Sequence, residues 1–164
     1  MTCDASVRRL TDGDAEAVLA MYEEGIATGN ATFETVVPPR PDWNATHLAE
    51  HRFVACTPNH VVGWTALSPV SDRCVYSGVA ENSVYVAAQA GGYGVGRFLL
   101  ETLVRGSEES GTWTLQTGIF RENTASIRLH QSCGFRVVGH RERLGRLEGR
   151  WRDTLFLERR SPLF

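Results

Sequence analysis

Residues 81–100 read ENSVYVAAQAGGYGVGRFLL, and this stretch predicts how the rest of the chain is organised. It begins with Glu81 and an alternating apolar run, passes through glycines at positions 91, 92, 94 and 96, and enters an apolar run with helical spacing. A strand, a glycine-rich turn and a helix in this order expose backbone N–H groups at the start of the helix. Such a terminus binds phosphate. We therefore expect a phosphate site here, with a second substrate site beside it.

The glycine-rich turn is a weak motif when taken alone, because glycines most often only supply turns. It is not a P-loop, since no Gly-Lys-Ser/Thr sequence follows it. A dinucleotide-binding fingerprint needs an acidic residue near the end of a second strand, about 20 residues on. Glu101, Glu108 and Glu109 instead fall in, or at the end of, the predicted helix. The turn therefore favours a pyrophosphate-binding loop of another type.

Length and composition predict one globular domain spanning residues 1–164. The net charge of −2 gives no support for nucleic acid or an anionic membrane as a partner. The cysteines at positions 3, 56, 74 and 133 form no C-x-x-C pair, so we expect no metal site. The first ten residues carry no hydrophobic segment that would indicate a signal peptide, and no apolar run reaches the length of a membrane span. We expect a cytoplasmic protein with reduced thiols.

Hydrophobic periodicity predicts elements in the order β-α-α-β-β-β-α-β-α-β-β. Strands are expected at residues 6–10, 53–56, 61–67, 75–86, 113–118, 135–139 and 151–158, with a short extended segment at 32–36. Helices are expected from residue 15 to about 26, from 41 to 51, from 97 to about 110 and from 123 to 134. Thr11 and Asp14 resemble a capping box before the first helix. This order predicts the α/β (α+β mixed) class, with one central mixed sheet and helices on both faces.

Several segments together resemble a known family. The strand, the pattern Q/R-x-x-G-x-G/A and the helix after it resemble the acetyl-CoA motif of the GCN5-related N-acetyltransferase (GNAT) superfamily. Asn123-x-x-Ser126-x-x-x-His130, followed by Gly134-Phe135, resembles the second helix of that superfamily and the strand after it. TGNATFET, AENSVYV and NTASIRLHQSCGF resemble the phosphinothricin and methionine sulfoximine acetyltransferase branch. The resemblance runs along nearly the whole chain, to GRWRDTLFLERR.

The resemblance implies the GNAT fold and an enzyme that uses acetyl-CoA, and no metal, to acetylate an amine. In this branch the acceptor is the α-amine of a small L-amino acid or analogue, such as phosphinothricin, methionine sulfoximine or an arsenic-containing relative. The transfer is direct, in a ternary complex, and the enzyme is a homodimer whose partner subunit completes the pocket. Two alternatives stay open: acetylation of another amine, such as a protein N-terminus or a polyamine, and a non-catalytic acyl-CoA-binding domain.

Glu81 and His130 are the candidate catalytic residues. An ammonium must lose a proton before it attacks a thioester, and a carboxylate at the substrate can accept that proton. The resemblance places Glu81 at the catalytic glutamate of the branch, although a solvated charge at a strand start has the same appearance.

Histidine suits proton transfer at neutral pH. The resemblance gives His130 a supporting role, in positioning or deprotonating the substrate or in relaying a proton to the CoA thiolate; the residues alone also allow a histidine bonded to a neighbouring carbonyl. The other histidines are expected to be structural or on the surface.

The resemblance also implies a set of residues that bind acetyl-CoA: Val84, Tyr85, Val86, Gly91, Gly92, Tyr93, Gly94, Val95, Gly96, Arg97, Asn123 and Ser126. In the superfamily the strand that carries the first three separates from its neighbour at a bulge, and the freed backbone groups hold the pantetheine and polarise the thioester carbonyl. One position departs from the motif, because its first residue, usually Gln or Arg, is Gly91. We expect weaker CoA binding than in relatives that carry the side chain.

The residues expected to bind the substrate are Thr32, Phe33, Glu34, Arg73 and Tyr76. Phe33 is as consistent with a buried loop anchor as with a pocket wall. Arg73 precedes the catalytic strand, where its guanidinium can pair with a substrate carboxylate through two hydrogen bonds. A solvated loop arginine has the same sequence signature.

Overall fold

The computed structural model describes residues 4–164, which form a seven-stranded mixed sheet and its helices. Residues 1–3 lie outside the described residues. They include Cys3 and the start of the N-terminal segment in which no signal peptide is expected. The elements are β1 (Ser6–Arg9), α1 (Ala15–Ala27), α2 (Arg40–Thr46), β2 (Arg52–Cys56), β3 (Val61–Pro69), β4 (Val79–Val86), α3 (Val95–Glu109), β5 (Thr114–Phe120), α4 (Thr124–Ser132), β6 (Arg136–Leu147) and β7 (Arg150–Arg160). Their order is the predicted one. Among residues 4–164 no helix combines the length and the apolar character that crossing a bilayer requires.

One strand pair sets the shape of the sheet. The strands lie in the order β1-β2-β3-β4-β5-β7-β6, and only β4 and β5 pair in parallel. Their pairing covers three positions, from Val79↔Thr114 to Glu81↔Gln116, whereas β4 continues to Val86 and β5 to Phe120. The two strands therefore diverge after Glu81 and leave a gap in the middle of the sheet.

Helices pack on both faces of the sheet, as predicted. On one face Leu103 of α3 packs with Leu157 of β7 in a cluster that α4 also joins. On the other face Met21 of α1 and Trp43 of α2 pack against Trp64 of β3. Side chains alternate between the two faces along each strand, and β3, which packs against both layers, is buried on both faces over residues 62–67.

Local signals explain where α1 begins and ends. The predicted capping box is present, and the Thr11 N–H donates to the Asp14 carboxylate at 2.8 Å. Arg8 of β1 donates two hydrogen bonds to the same carboxylate, at 2.7 and 2.8 Å, and these hold the pKa of Asp14 well below its usual range. After α1 the chain turns at Gly29, whose φ of +64° costs glycine little. That turn starts the loop that leads to α2.

Two predicted elements before the central strands are wrong. Residues 32–36 form no strand and bend at Phe33 and Val36, because this loop is held by side-chain contacts and not by a partner strand. The helix expected to reach residue 51 ends at Thr46. His47 is already extended, and the Leu48 N–H donates to Leu67 O at 2.7 Å, so the chain turns back to the sheet.

Three predicted boundaries in the second half are also wrong. Strand β4 begins at Val79, because residues 74–76 form a 3₁₀ turn instead of extended structure. In this turn the Tyr76 N–H donates a hydrogen bond to Arg73 O at 2.9 Å. Helix α3 begins two residues early, at Val95. Strand β6 runs past residue 139 to Leu147, with irregular register near residues 137–139 and 141–145. Those irregularities break the alternation that would have revealed one long strand.

Burial lowers the pKa of three histidines, His47, His51 and His130. The folded chain therefore resists protonating them, while in the unfolded chain a histidine titrates at about pH 6.5. Between the lowered pKa values and about pH 6.5 the unfolded state binds more protons, so stability rises with pH in that window. Carboxyl groups titrate below about pH 5, so they contribute little there.

We predict that the melting temperature is steady above about pH 7 and falls as the pH drops to about 5.5. Thermal unfolding followed by circular dichroism across this range measures the effect. His51→Gln, which keeps a polar partner for the Ser110 hydroxyl 2.8 Å away, should reduce the slope. His60→Gln, in the exposed turn between β2 and β3, is the matched control for the substitution itself. A melting temperature that stays constant or rises on acidification would contradict the prediction.

Candidate functional site

A cleft of about 1030 Å³ opens at the gap between β4 and β5. Its lining includes Tyr22 of α1 and Trp43 of α2 from one face of the sheet, and Ser126 of α4 from the other. Both strands that border the gap also contribute. The cleft therefore joins the two faces, which gives one ligand access from each side.

The cleft brings together most of the predicted site residues. Those in its lining are Thr32, Phe33, Glu34, Glu81, Val84, Tyr85, Val86, Gly91, Gly92, Gly94, Val95, Gly96, Arg97, Asn123, Ser126 and His130. Three predicted residues are not in the lining. Tyr93 is an exposed side chain of the glycine-rich turn, and Arg73 and Tyr76 lie on the exposed turn before β4. There the Arg73 guanidinium lies 5.5 Å from the centre of the Tyr76 ring, so these two residues contact each other.

The glycine-rich turn presents backbone donors at the start of α3. Gly92 and Gly94 both have φ of +82°, and nothing lies within 4 Å of the position a Cβ would take on either. The first hydrogen bond into the helix runs from the Phe98 N–H to Gly94 O at 3.0 Å. The N–H groups of residues 95–97 therefore have no acceptor within the helix. The first turn carries no acidic side chain, so this end of the cleft suits an anion.

Strand β4 presents backbone groups to the gap. The Ala87 N–H donates to Val62 O on β3 at 2.9 Å, and the β3–β4 register is continuous from that point. Backbone groups alternate between the two sides of an antiparallel strand, so those of Val84 and Val86 point away from β3 and into the gap. The bulge that the resemblance implies is absent from the β3–β4 register. The separation instead arises because β4 and β5 diverge.

Glu81 faces the α1–α2 side of the cleft. It precedes Asn82 in β4, and successive side chains on a strand point to opposite faces. Asn82 contacts His130 of α4, which places Glu81 on the other face. The Glu81 side chain is exposed in the cleft lining and makes no hydrogen bond or ion pair with any group of residues 4–164. Its carboxylate is therefore free to accept a proton.

His130 is 2% exposed, and both of its ring nitrogens have partners. Nδ1 lies 2.8 Å from Ser126 O; a carbonyl only accepts, so Nδ1 carries the hydrogen. Nε2 then accepts a hydrogen bond from the Asn82 side-chain amide at 2.9 Å. Burial lowers the pKa of His130, which keeps the ring neutral near pH 7. In this arrangement His130 has no free lone pair with which to take a proton from a substrate.

An aromatic wall forms the α1–α2 side of the cleft. The Tyr85 ring stacks on Trp64 at 4.7 Å, and Tyr22 meets Tyr85 edge-on at 5.1 Å. Burial raises the pKa of both tyrosines, so their hydroxyls stay protonated beside the Thr32 hydroxyl. Gly25 of α1 makes this packing possible, because a Cβ there would lie 2.5 Å from the Tyr85 ring.

Several lining residues are not predicted from the sequence: Tyr22, Trp43, His47, Asn82, Phe120 and Thr154. Tyr22 lies on the predicted apolar face of α1, where it resembles an ordinary core residue. His47 was expected to be structural or on the surface, but it lies in the lining, stacked on Trp43 at 4.2 Å. Asn82 stands beside Glu81, yet its partner His130 is 48 residues away, and no local pattern connects them.

The charged side chains in the lining are unequally distributed. The carboxylates are Glu34, Asp42 and Glu81, and the only arginine is Arg97, which pairs with Glu101 at 2.7 Å. Arg97 belongs to the α3 end, so within the described lining the charged side chains on the α1–α2 side of the cleft are all carboxylates. Within residues 4–164 no three His, Cys, Asp or Glu side chains cluster in a way that could hold a metal ion.

Comparison with known proteins identifies the family. The acetyltransferase (GNAT) family matches residues 18–135. Phosphinothricin N-acetyltransferase of Alcaligenes faecalis is 34% identical over 164 residues, which cover 96% of this chain and 83% of the relative. An L-methionine sulfoximine/L-methionine sulfone acetyltransferase of Pseudomonas aeruginosa is 28% identical, over 94% of this chain and 93% of the relative.

A solved structure agrees with these sequence matches. The crystal structure of a GNAT superfamily phosphinothricin acetyltransferase from Sinorhizobium meliloti, in complex with AcCoA, superposes with a TM-score of 0.88. It is 29% identical, over 98% of this chain and 89% of that chain. These matches confirm the resemblance to the phosphinothricin and methionine sulfoximine acetyltransferases, and the fold. The chain belongs to the acetyltransferase (GNAT) family, and it is an N-acetyltransferase.

Proposed function

We propose that the chain transfers the acetyl group of acetyl-CoA to the α-amine of a small L-amino acid or analogue of the phosphinothricin, methionine sulfoximine or arsinothricin type, in the cytoplasm. The observation that carries the proposal is the unpartnered Glu81 carboxylate at the point where β4 and β5 separate. The names of the relatives support this class of acceptor.

The α3 side of the cleft supports acetyl-CoA as the donor. The free N–H groups at the start of α3 suit its pyrophosphate. The backbone groups of Val84 and Val86 that face the gap suit the amide groups of its pantetheine arm, and an N–H there can polarise the thioester carbonyl. Asn123 and Ser126, at the start of α4, line the same side.

The acceptor amine approaches from the α1–α2 side. Its ammonium loses one proton to Glu81, directly or through water, and the neutral nitrogen attacks the thioester carbon. The C–N bond forms as the C–S bond breaks. The nitrogen then loses its second proton while the CoA thiolate gains one, so the products are an amide and free CoA. The direct transfer needs no cysteine nucleophile.

His130 supports the reaction by positioning. Its ring bridges Asn82 of β4 and the backbone of Ser126 in α4, so it fixes the strand that carries Glu81 to the helix beside the donor. Of the roles that the resemblance allows for His130, the geometry supports this one, because neither ring nitrogen is free.

A cationic acceptor, such as a polyamine or a protein N-terminus, is the second candidate. Three carboxylates and no cation on the acceptor side would attract a positive group. An amino acid needs a cation for its own carboxylate. In the proposed homodimer, whose partner subunit completes the pocket, Arg73 on the exposed turn before β4 is the candidate for that role.

A thiol-release assay with acetyl-CoA tests the proposal. The acceptors are phosphinothricin, methionine sulfoximine, methionine, spermidine and a peptide with a free N-terminus. We predict the highest kcat/KM for the first two. A preference for spermidine or the peptide would support the second candidate against the first. Binding of CoA without turnover of any amine would identify a non-catalytic acyl-CoA-binding domain.

Glu81→Gln should lower the rate most at low pH, where more of the amine is protonated and needs a base. Loss of a general base typically lowers the rate by about 10²–10⁴-fold. The Kd for acetyl-CoA, measured by calorimetry, should stay nearly unchanged, because Glu81 faces the acceptor side. Glu34→Gln removes a second carboxylate of the same cleft and should have a much smaller effect on the rate. A collapse of CoA binding in Glu81→Gln would show that Glu81 is structural.

Gly91→Arg should tighten acetyl-CoA binding. Gly91 has φ of −64° and ψ of 142°, which any residue can adopt, and a Cβ there would lie 3.3 Å from Ala88 O, so this carbonyl must move by a few tenths of an ångström to receive a side chain. A hydrogen bond to a charged group contributes about 1.5 kcal/mol or more, so we predict a Kd about tenfold lower. Gly91→Ala is the control that separates loop stiffening from the side-chain contact. Equal Kd values for the two variants would show that the arginine does not reach the pyrophosphate.

A further inference from the structure

Arg152 of β7 lies outside the cleft lining, yet it holds the loop that forms one wall of the cleft. Its guanidinium donates to Gly29 O at 2.6 Å and to the Asn30 side-chain oxygen at 3.0 Å. It also donates to the Glu122 carboxylate at 3.3 Å. The side chain is 17% exposed, so most of it is withdrawn from water and depends on these acceptors.

The Arg152 guanidinium also lies over an aromatic ring. Its central carbon is 3.9 Å from the centre of the Phe120 ring, within the range of a cation–π contact. Phe120 in turn meets Phe33 edge-on at 4.7 Å. Phe33 packs where Gly145 of β6 has no side chain, since a Cβ there would lie 2.7 Å from the Phe33 ring. Residues 29–30 of the loop thus contact Arg152 and residue 33 contacts Phe120, so both parts of the loop are attached to the same cation–π pair.

The same loop is joined to α4 by Asn123. The Asn123 side-chain amide donates to Asn30 O at 3.1 Å, while its oxygen accepts from the Ser126 N–H at 3.2 Å and caps α4. Asn30 is therefore held from two directions, by Arg152 through its side chain and by Asn123 through its backbone. Helix α4 carries Ser126 and His130, so the contact links the acceptor loop to the donor side of the cleft.

We infer that Arg152 is a positioning residue: it fixes the loop of residues 29–34 in the shape that receives the amine, and it ties that loop through Asn30 to α4. The inference rests on the proposed function, because Thr32, Phe33 and Glu34 of this loop are proposed to contact the acceptor. Arginine suits the role, since its rigid, planar fork donates to both acceptors of the loop and to Glu122 while its central carbon lies over the Phe120 ring.

The proposal predicts which kinetic constant changes when the loop is no longer held. A loop that is held in place has already lost the conformational entropy that substrate binding would otherwise have to remove. Freeing the loop should therefore weaken amine binding, while the acetyl-CoA contacts of β4 and α3 remain in place. The KM for the amine should therefore rise, while kcat and the Kd for acetyl-CoA stay nearly unchanged.

Arg152→Ala and Arg152→Lys test this inference with two readouts. For Arg152→Ala we predict a KM for the best amine that rises about tenfold, with kcat and the acetyl-CoA Kd changed by less than about threefold. Hydrogen exchange should become faster in peptides that cover residues 28–36. Arg152→Lys keeps the charge but loses the planar guanidinium, so its amine KM and its exchange rates should lie between those of wild type and Arg152→Ala.

Arg141→Ala is the matched control. It removes an arginine that lies 5.5 Å from the Phe156 ring on the same hairpin and does not touch the loop, so its KM should stay near that of wild type. Equal KM and equal loop exchange in Arg152→Ala and Arg141→Ala would overturn the inference. The inference would also be overturned if Arg152→Ala lowered kcat, the acetyl-CoA affinity and the melting temperature as strongly as the amine affinity, because that would be a general loss of structure. If the wild type acetylates no amine, the proposed function fails, and the exchange comparison alone decides whether Arg152 holds the loop.

Discussion

The divergence of β4 and β5 after Glu81 is the constraint on which the rest of the structure depends. Parallel strands need a long crossover, and here α3 supplies it, so the start of α3 comes soon after the end of β4. The gap and the helix terminus are thus adjacent through chain connectivity. Backbone groups that face the gap lack ladder partners, and such groups need polar partners if they are buried. A ligand with amide groups and a pyrophosphate meets both needs.

Because β4 is pleated, its successive side chains Glu81 and Asn82 point to opposite faces of the sheet. Glu81 faces the α1–α2 side, which is proposed to receive the acceptor, while Asn82 contacts His130 on the side proposed for the donor. A shift of one residue in the register would exchange these two side chains, so the β3–β4 ladder, which runs without a break, specifies which of them lies on the side proposed for the amine. The carboxylate stays unpartnered, whereas the histidine is neutral and bonded at both nitrogens. These different surroundings explain how the proposed proton acceptor, Glu81, and the proposed bridge, His130, can lie next to each other in the fold.

The errors in the sequence predictions concern the parts held by distant contacts. Residues 32–36 carry β-branched residues that favour extended structure, but the loop is shaped by Arg152 and Phe120, about a hundred residues later in the chain. The irregular register of β6 likewise hid a strand that extends to Leu147. Local propensity decides structure where the chain contacts itself locally, and here the contacts are not local.

The sequence by itself determined the order of the elements, the mixed α/β class, the family and a part of the cleft lining. These follow from periodicity, from glycine spacing and from motifs, all of which are local along the chain. Only the tertiary structure decided that Asn82 and the Ser126 carbonyl bond the two ring nitrogens of His130, that Arg73 and Tyr76 lie outside the cleft of the single chain, and that Arg152 donates to Gly29 and Asn30. Each of these depends on the distance between side chains far apart in sequence, and that distance exists only once the sheet and helices have packed.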